Sequence, residues 1–456
     1  MTVSAGIFRQ YDIRGIVGED LTTEAAYAIG GAYATWIRRH GSSGAVVVGR
    51  DNRPSGAMLR DALVRGLNEQ GLFVVDIGVV PTPVMYWSLH HLQVVGGIQI
   101  TGSHNPSEYN GFKLCFGTRT MHGAQLQELY DIQRHGMTPA LKATTREQHG
   151  IIARYIDDIV ARVGRIRRPT TVVVDCGNGA GALVAEQLFD RLGVKVVPLF
   201  CESDGTFPNH HPDPTVEKNL VDLIVAVRQH HADIGIAFDG DADRLGVIAD
   251  DGRIIWGDHV LILYARDVLE RTGRDQAIIF DVKCSQALPD EITKAGGRPV
   301  MWKTGHSLIK DKMRELNAPI AGEMSGHMFF AEGFYGHDDA MYGAARLLSI
   351  IDRSGKSISE LLSDVPAFVS TPELRVDVPE SEKFAIVDRA VKHFSATHEV
   401  IGVDGARVLF GDGWGLIRAS NTQPILVTRF EARTPERLKE IRDEMEGWIR
   451  SQGIAV

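Results

Sequence analysis

At 456 residues, 44% hydrophobic and 23% charged, the chain has the composition of a folded protein and the length of about three or four ordinary domains. A net charge of −9 without a long Lys or Arg run argues against a nucleic acid or an anionic membrane as partner; a small anion gathered by local cations and N–H groups stays open. Cys115, Cys176, Cys201 and Cys284 have no CxxC spacing, so neither zinc nor a disulfide framework is indicated, and reduced thiols fit a cytoplasmic protein.

Residues 1–15 lack a basic region followed by an apolar core, so no signal peptide is expected. Phe8-Arg9-Gln10-Tyr11-Asp12-Ile13-Arg14-Gly15 mixes aromatic and charged groups where a plain strand would alternate; a surface turn is the other reading. The helix expected over 25–37 is too short to cross a bilayer. Ala45-Val46-Val47-Val48-Gly49 reads as a buried strand from its unbroken β-branched run. A helix over 58–70 carries Leu59, Leu63 and Leu67 on one face and stops at Gly71. A strand over 73–77, a Pro81-Thr82-Pro83 loop, a helix and a strand ending at Ile100 complete a β-α-β-α-β unit.

The pattern recurs as strand 171–174, helix 180–192, strand 195–200, helix 216–230 and strand 234–238. A shorter third pass has strand 278–280, a helix ending near Gly296, strand 299–302, helix 307–316 and a strand before Glu323. One α/β unit repeated at roughly 100-residue spacing is the simplest account. Beyond Pro366 an alternating strand over 371–378, a helix over 381–394, strands 407–410 and 425–430 and an amphipathic helix over 435–450 describe a small α+β domain. The expected fold is therefore three related α/β mixed-sheet domains, 1–150, 151–252 and 253–366, followed by a C-terminal α+β domain, 367–456.

Three strands of the repeats end in polar loops, and ligands of open α/β sheets bind at such carboxyl ends. The first, Thr101-Gly102-Ser103-His104-Asn105-Pro106, exposes a serine, although its residues are also ordinary turn formers. In the second, Asp239, Asp241 and Asp243 alternate and would point three carboxylates at a hard cation, Mg²⁺ rather than zinc; a solvated acidic turn is the plainer reading. The third holds Glu323 and Ser325, an acceptor pair of the kind that reads sugar hydroxyls. Arg418, Ser420, Asn421 and Thr422 gather a guanidinium, two hydroxyls and an amide, as a phosphate clamp would. Lys283 and His306 follow strands of the third unit on the same face, where either is equally well a solvated side chain. Together these loops point to phosphoryl transfer. A phosphorylated serine carries about −1.5 to −2 charges, which a neighbouring Mg²⁺ offsets, and the chemistry needs positioning rather than a strong base.

With TGSHNP, DGDADR, GEMSGH and RASNTQP in this order, the chain resembles the α-D-phosphohexomutases; GEMSGH with FRQYDIRG most resembles the phosphomannomutase/phosphoglucomutase branch. The resemblance covers essentially the whole chain. It implies a heart-shaped protein around a central active-site cleft, in which phosphorylated Ser103 gives its phosphoryl group to a hexose 1-phosphate of mannose or glucose. A hexose 1,6-bisphosphate turns over in the cleft, and added glucose 1,6-bisphosphate acts as activator. It implies Mg²⁺ on Asp239, Asp241, Asp243 and the Ser103 phosphate, sugar O3 and O4 on Glu323 and Ser325, and the distal phosphate on Arg418, Ser420, Asn421 and Thr422. Tyr11, Arg14, Lys113, Arg244, Lys283, His306 and His327 would line the cleft, with Arg14, Lys113 and His327 as proton-transfer candidates. A phosphoglucosamine mutase, a phosphatase and a non-catalytic sugar-phosphate binding protein are the alternatives. A monomer is expected, with a dimer as the other state.

Overall fold

Unbroken β-branched runs build the centre of each α/β sheet: Val46, Val47 and Val48, then Val172, Val173 and Val174, then Ile278 and Ile279 are all fully buried, as strands covered on both faces must be. The computed structural model describes residues 3–137, 140–421 and 423–456, which form four sheets in succession along the chain.

The first three sheets share one pattern. In the first unit Phe73–Val79, Ala45–Arg50 and Gly96–Ile100 lie side by side in parallel, and Tyr109–Phe116 runs antiparallel to the last of them. In the second the same places are taken by Lys195–Leu199, Thr171–Asp175, Ile234–Phe238 and antiparallel Leu245–Ala249. In the third they are taken by Arg298–Trp302, Ala277–Asp281, Ile320–Gly322 and antiparallel Met328–Phe330. The repeat inferred from element order is thus present in strand order and direction. Its consequence is positional: the Ser103, Asp239 and Glu323 loops all connect the third parallel strand of a unit to its antiparallel partner.

Two expected helices begin differently. The stretches 180–192 and 216–230 open as 3-10 turns, Ala180–Leu183 and Glu217–Leu220, before the α-helices Ala185–Leu192 and Val221–His230. At the first of these the chain passes so close to the aspartate turn that a Cβ on Gly179 would lie 2.8 Å from the Gly240 carbonyl oxygen, which favours the tighter turn.

The fourth unit is antiparallel. Glu399–Ile401, Ala406–Leu409, Gly413–Ala419 and Ile425–Ala432 pair in sequence, and the alternating stretch near 371–378 supplies two short pieces, Val369–Ser370 and Leu374–Asp377, on the last strand. The helix Pro435–Ser451 starts where Thr434 Oγ1 accepts from Arg437 N at 3.2 Å, and it buries Ile441, Met445 and Ile449 along one face.

One apolar core runs through the first three units, including Trp87, Phe189, Phe238, Tyr264 and Leu347. The fourth has its own core around Ile386, Phe394, Leu426 and Phe430. It meets the third through the small cluster Val282, Trp414 and Leu416 and through Arg407, whose Nη1 donates to the carbonyls of Val282 at 2.6 Å and Cys284 at 2.8 Å. Among the described residues no helix is long and apolar enough to cross a membrane.

Candidate active site

Ser103 sits in the left-handed region at φ 51°, 3% exposed, with its hydroxyl held between Asp239 Oδ2 and His104 Nδ1, each at 3.1 Å. A non-glycine residue stays in that region only when its surroundings fix it. Here they do. The Arg53 guanidinium lies under the loop and donates to the carbonyls of Ser103 (2.7 Å), Asn105 (2.6 Å), Pro106 (2.5 Å) and Tyr109 (3.0 Å) while pairing with Asp51 at 3.1 Å. Asp51 Oδ2 in turn accepts from Thr101 Oγ1 at 2.7 Å and Gly102 N at 3.2 Å. A Cβ at 102 would lie 2.6 Å from the Arg53 guanidinium and 2.9 Å from the Tyr109 carbonyl oxygen, so any larger residue there requires this packing to shift.

The three aspartates are completely buried, and one oxygen of each lies within 4.8 Å of the others. Lys113, from the strand that follows the serine loop, pairs with Asp241 at 2.8 Å and also with Asp243. Burial and then the Asp243 and Asp241 charges push Asp239 well above the usual carboxylate range. Asp243 goes the other way: burial would raise it, but Lys113 and His327 hold it well below that range. Asp241 Oδ1 is buried with no hydrogen-bond partner among the described residues. Three converging carboxylates, one of which carries an oxygen without a partner among the described residues, fit a divalent cation such as Mg²⁺ and suit a soft metal poorly.

His327 bridges the second and third units. Its Nδ1 lies 2.8 Å from Glu323 Oε2 and its Nε2 3.1 Å from Asp243 Oδ1. Burial alone would lower the imidazole, but Asp243, with hydrogen bonds to both carboxylates, holds it up at about 9. The other Glu323 oxygen accepts from Gly305 N at 2.6 Å, so neither oxygen is free, although each keeps a lone pair for a further donor. Ser325 Oγ lies 3.3 Å from His327 Nδ1, and Arg244 Nε lies 3.9 Å from Asp239 Oδ2. Arg14 pairs with Asp12 at 2.5 Å and donates to Asn105 Oδ1 at 3.3 Å, which puts it beside the serine loop.

A second group gathers where the first, third and fourth units meet. Tyr11 Oη donates to the Thr304 carbonyl at 2.7 Å and accepts from Asn421 Nδ2 at 2.5 Å. Arg418 pairs with Asp404 at 3.0 Å, and the same Asp404 oxygen accepts from Thr304 N at 3.0 Å. Lys283 pairs with Glu373 at 2.5 Å. Ser420 Oγ accepts from Gln423 N at 3.2 Å. Thr422 lies outside the described residues. His306 links the two groups, its ring centroid 6.3 Å from that of Tyr11 and 5.9 Å from that of His327. Burial, and then Lys310, keep its imidazole well below the ordinary histidine range.

Models of the family described as phosphoglucomutase/phosphomannomutase match all four parts of the chain: the alpha/beta/alpha domains I, II and III at residues 5–140, 153–252 and 256–368, and the C-terminal domain at 373–447. The chain belongs to this family. It is 47% identical over 453 residues to a phosphomannomutase/phosphoglucomutase of Pseudomonas aeruginosa, covering 99% of this chain and 96% of that one. A phosphoglucomutase of Neisseria gonorrhoeae is 45% identical, with 99% and 98% covered. A crystal structure of a phosphoglucomutase/phosphomannomutase family protein from Burkholderia thailandensis superposes with a TM-score of 0.91 at 42% identity over 99% of this chain and 98% of that one.

In this family member the sequence reading did not single out Arg53 or Asp51, nor the Lys310–Asp338 pair at 2.8 Å behind His306. A signal for the first two was present. Asp51-Asn52-Arg53-Pro54-Ser55 is another polar run at the carboxyl end of a valine-rich strand, like the loops that were recognised. The partners Asp404 and Glu373 gave no such signal, because Glu373 matters through Lys283 and Asp404 through Arg418 and the Thr304 amide, groups that only the fold brings to them.

Proposed function

We propose that the chain is a phosphohexomutase that interconverts the 1- and 6-phosphates of glucose and mannose through phosphorylated Ser103 and a bound hexose 1,6-bisphosphate. The observation that carries this reading is Ser103 Oγ at 3.1 Å from Asp239 Oδ2, a hydroxyl set against a buried acidic triad. An unmodified serine gains little from such a neighbour, whereas a phosphorylated one shares a cation with it.

In this reading Asp239, Asp241 and Asp243, with the Ser103 phosphate, hold Mg²⁺, which supplies charge neutralisation at the phosphoryl group. Ser103 gives its phosphoryl group to the free sugar hydroxyl and takes back the other one after the bisphosphate has turned over. Lys113 and Arg244 offset charge beside the triad, which is what phosphoryl transfer chiefly needs. His327, paired with Asp243 and Glu323, donates the proton on one half-reaction, and Arg14 and Lys113 are its partners in proton transfer. Glu323 and Ser325 take sugar O3 and O4. C2 then goes unread, so both epimers are accepted. Arg418, Ser420, Asn421 and Thr422 bind the distal phosphate, with Tyr11, Lys283 and His306 lining the space between the ends. Free glucose 1,6-bisphosphate restores phosphate to Ser103 and so activates.

The test is conversion of α-glucose 1-phosphate to glucose 6-phosphate with Mg²⁺, with and without glucose 1,6-bisphosphate, beside mannose 1-phosphate and glucosamine 1-phosphate. Bisphosphate-stimulated turnover of the glucose and mannose substrates is expected. Turnover of the glucosamine substrate alone, or release of free phosphate, would overturn the assignment.

A further inference from the structure

Two of the thiols face each other. Cys176 follows the strand Thr171–Asp175 and Cys201 follows Lys195–Leu199, and these strands pair in parallel with Asp175 opposite Leu199. The pairing continues past their ends: Cys176 N donates to the Leu199 carbonyl at 3.1 Å and Asn178 N to the Phe200 carbonyl at 2.9 Å. Cys201 Sγ lies 3.2 Å from Cys176 Sγ. Continued past Asp175 and Leu199, the register puts Cys201 one residue beyond the position opposite Cys176. Strands about 4.8 Å apart with a rise of about 3.3 Å per residue put such a diagonal pair roughly 6 Å apart, within the about 4.4–6.8 Å that a disulfide spans, so bonding needs the sulfurs to close by roughly 1 Å. Cys176 is fully buried and Cys201 partly exposed. Neither thiol has a part in the proposed reaction.

Cys201 also opens a loop that backs the Ser103 support. Asn52 Nδ2 donates to Ser203 Oγ at 2.9 Å and to the Asn178 carbonyl at 2.7 Å. Gly205 packs so tightly on this segment that a Cβ there would lie 2.2 Å from the Asn52 carbonyl oxygen. The Phe207 ring lies 5.1 Å from the Arg53 guanidinium, and Arg53 holds the Ser103 carbonyl at 2.7 Å. A displacement at Cys201 therefore has a packed route to Ser103 through Arg53.

We propose that Cys176 and Cys201 form a reversible dithiol–disulfide site, closed by a low-molecular-weight disulfide, and that closure slows turnover by shifting the loop against Arg53. Cys201 reacts first because it is the reachable thiol. Cys201 gives its proton to water, its thiolate attacks one sulfur of the small disulfide, that S–S bond breaks, and one small thiolate leaves and takes up a proton. Cys176 then gives its proton to water and attacks the Cys201 sulfur, expelling the second small thiol. The two protein thiols lose two electrons, and the small disulfide gains them as two thiols. The neighbouring Cys201 sulfur, and then burial, hold the Cys176 thiol well above its ordinary range, which makes this second step the slow one.

The test treats the full chain with oxidised glutathione, maps the non-reduced peptides by mass and follows turnover of glucose 1-phosphate. The expected result is a Cys176–Cys201 cross-linked peptide pair, two hydrogens lighter than the free thiols, with kcat lowered at least about 5-fold, since a misplacement of about 1 Å can cost up to about 100-fold. Dithiothreitol restores both, and Cys201→Ser shows neither change. A product that stops at the Cys201 mixed disulfide, or no adduct at all, overturns the site. A cross-link with unchanged kcat overturns its coupling to Arg53, as does equal inactivation of Cys201→Ser. The mass readout stands whether or not the mutase reading does.

Discussion

Arg53 Nη2 donates to the Ser103 carbonyl at 2.7 Å, from a residue only 1% exposed. Three more loop carbonyls share the same group, so the planar fork fixes the whole turn in a way that a lysine ammonium cannot reproduce. Arg53→Lys is expected to lower kcat by about 10–100-fold with a smaller change in KM, because the serine is misplaced while the substrate contacts remain. Steady-state kinetics beside a thermal melt checks this. Normal kcat in a folded variant would remove Arg53 as a positioning residue.

Asp241 contributes the orphaned oxygen of the acidic triad as well as an ion pair with Lys113. Asp241→Asn should weaken Mg²⁺ binding at least about 10-fold and remove most of the rate, since one hard anionic ligand is lost. Calorimetric titration of Mg²⁺ into the variant and the parent measures the first effect directly. Identical isotherms would count against the triad as the cation site.

Glu373 and Lys283 tie the fourth unit to the third at 2.5 Å, with the Glu373 side chain 30% exposed. Burial would raise the Glu373 carboxyl, but Lys283 brings it down to about 2. A depressed carboxyl stabilises fully above its ordinary pKa and loses that contribution as pH falls, here from about 4.5 through about 2. Lys283 is raised in spite of its burial, so its share is complete below the ordinary ammonium value and is lost as pH rises through the raised one. Near neutral pH, Glu373→Gln should cost about 1–2 kcal/mol after allowing for partial exposure, and the gap to the parent should narrow as pH falls below about 4.5. Urea midpoints across that range check it; a constant gap would contradict the latch.

Element order was legible in the sequence because Val46 to Val48 and Val172 to Val174 are short β-branched runs that suit a buried strand, and the glycines and polar runs after them mark where each strand stops, whereas the order and direction of the strands within each sheet came from the structure. The serine, aspartate and glutamate loops were legible for the same reason. Arg53 was not, because its value lies in carbonyls up to 56 positions away in sequence, and carbonyls have no sequence signature. The same holds for Asp404, which meets both Arg418 and the Thr304 amide. The 3-10 start at 180 was missed because the tight approach of Gly179 to Gly240 is a tertiary fact; the one at 217 has no such contact among the described residues to explain it.

Tyr11 joins the first, third and fourth units through Thr304 and Asn421. Tyr11→Phe keeps the ring and removes both bonds, each worth about 0.5–1.5 kcal/mol, so KM should rise about 3–10-fold with kcat less affected. An unchanged KM would show that this junction does not help to hold the substrate.

The central claim is phosphoryl transfer through Ser103, and the direct measurement is phosphopeptide mapping after incubation with glucose 1,6-bisphosphate, run on the parent and on Ser103→Ala with turnover assayed in parallel. The account predicts phosphate on the Ser103 peptide of the parent, and a folded Ser103→Ala protein with neither label nor turnover. Label on another residue, or turnover that survives the loss of the hydroxyl, would contradict it.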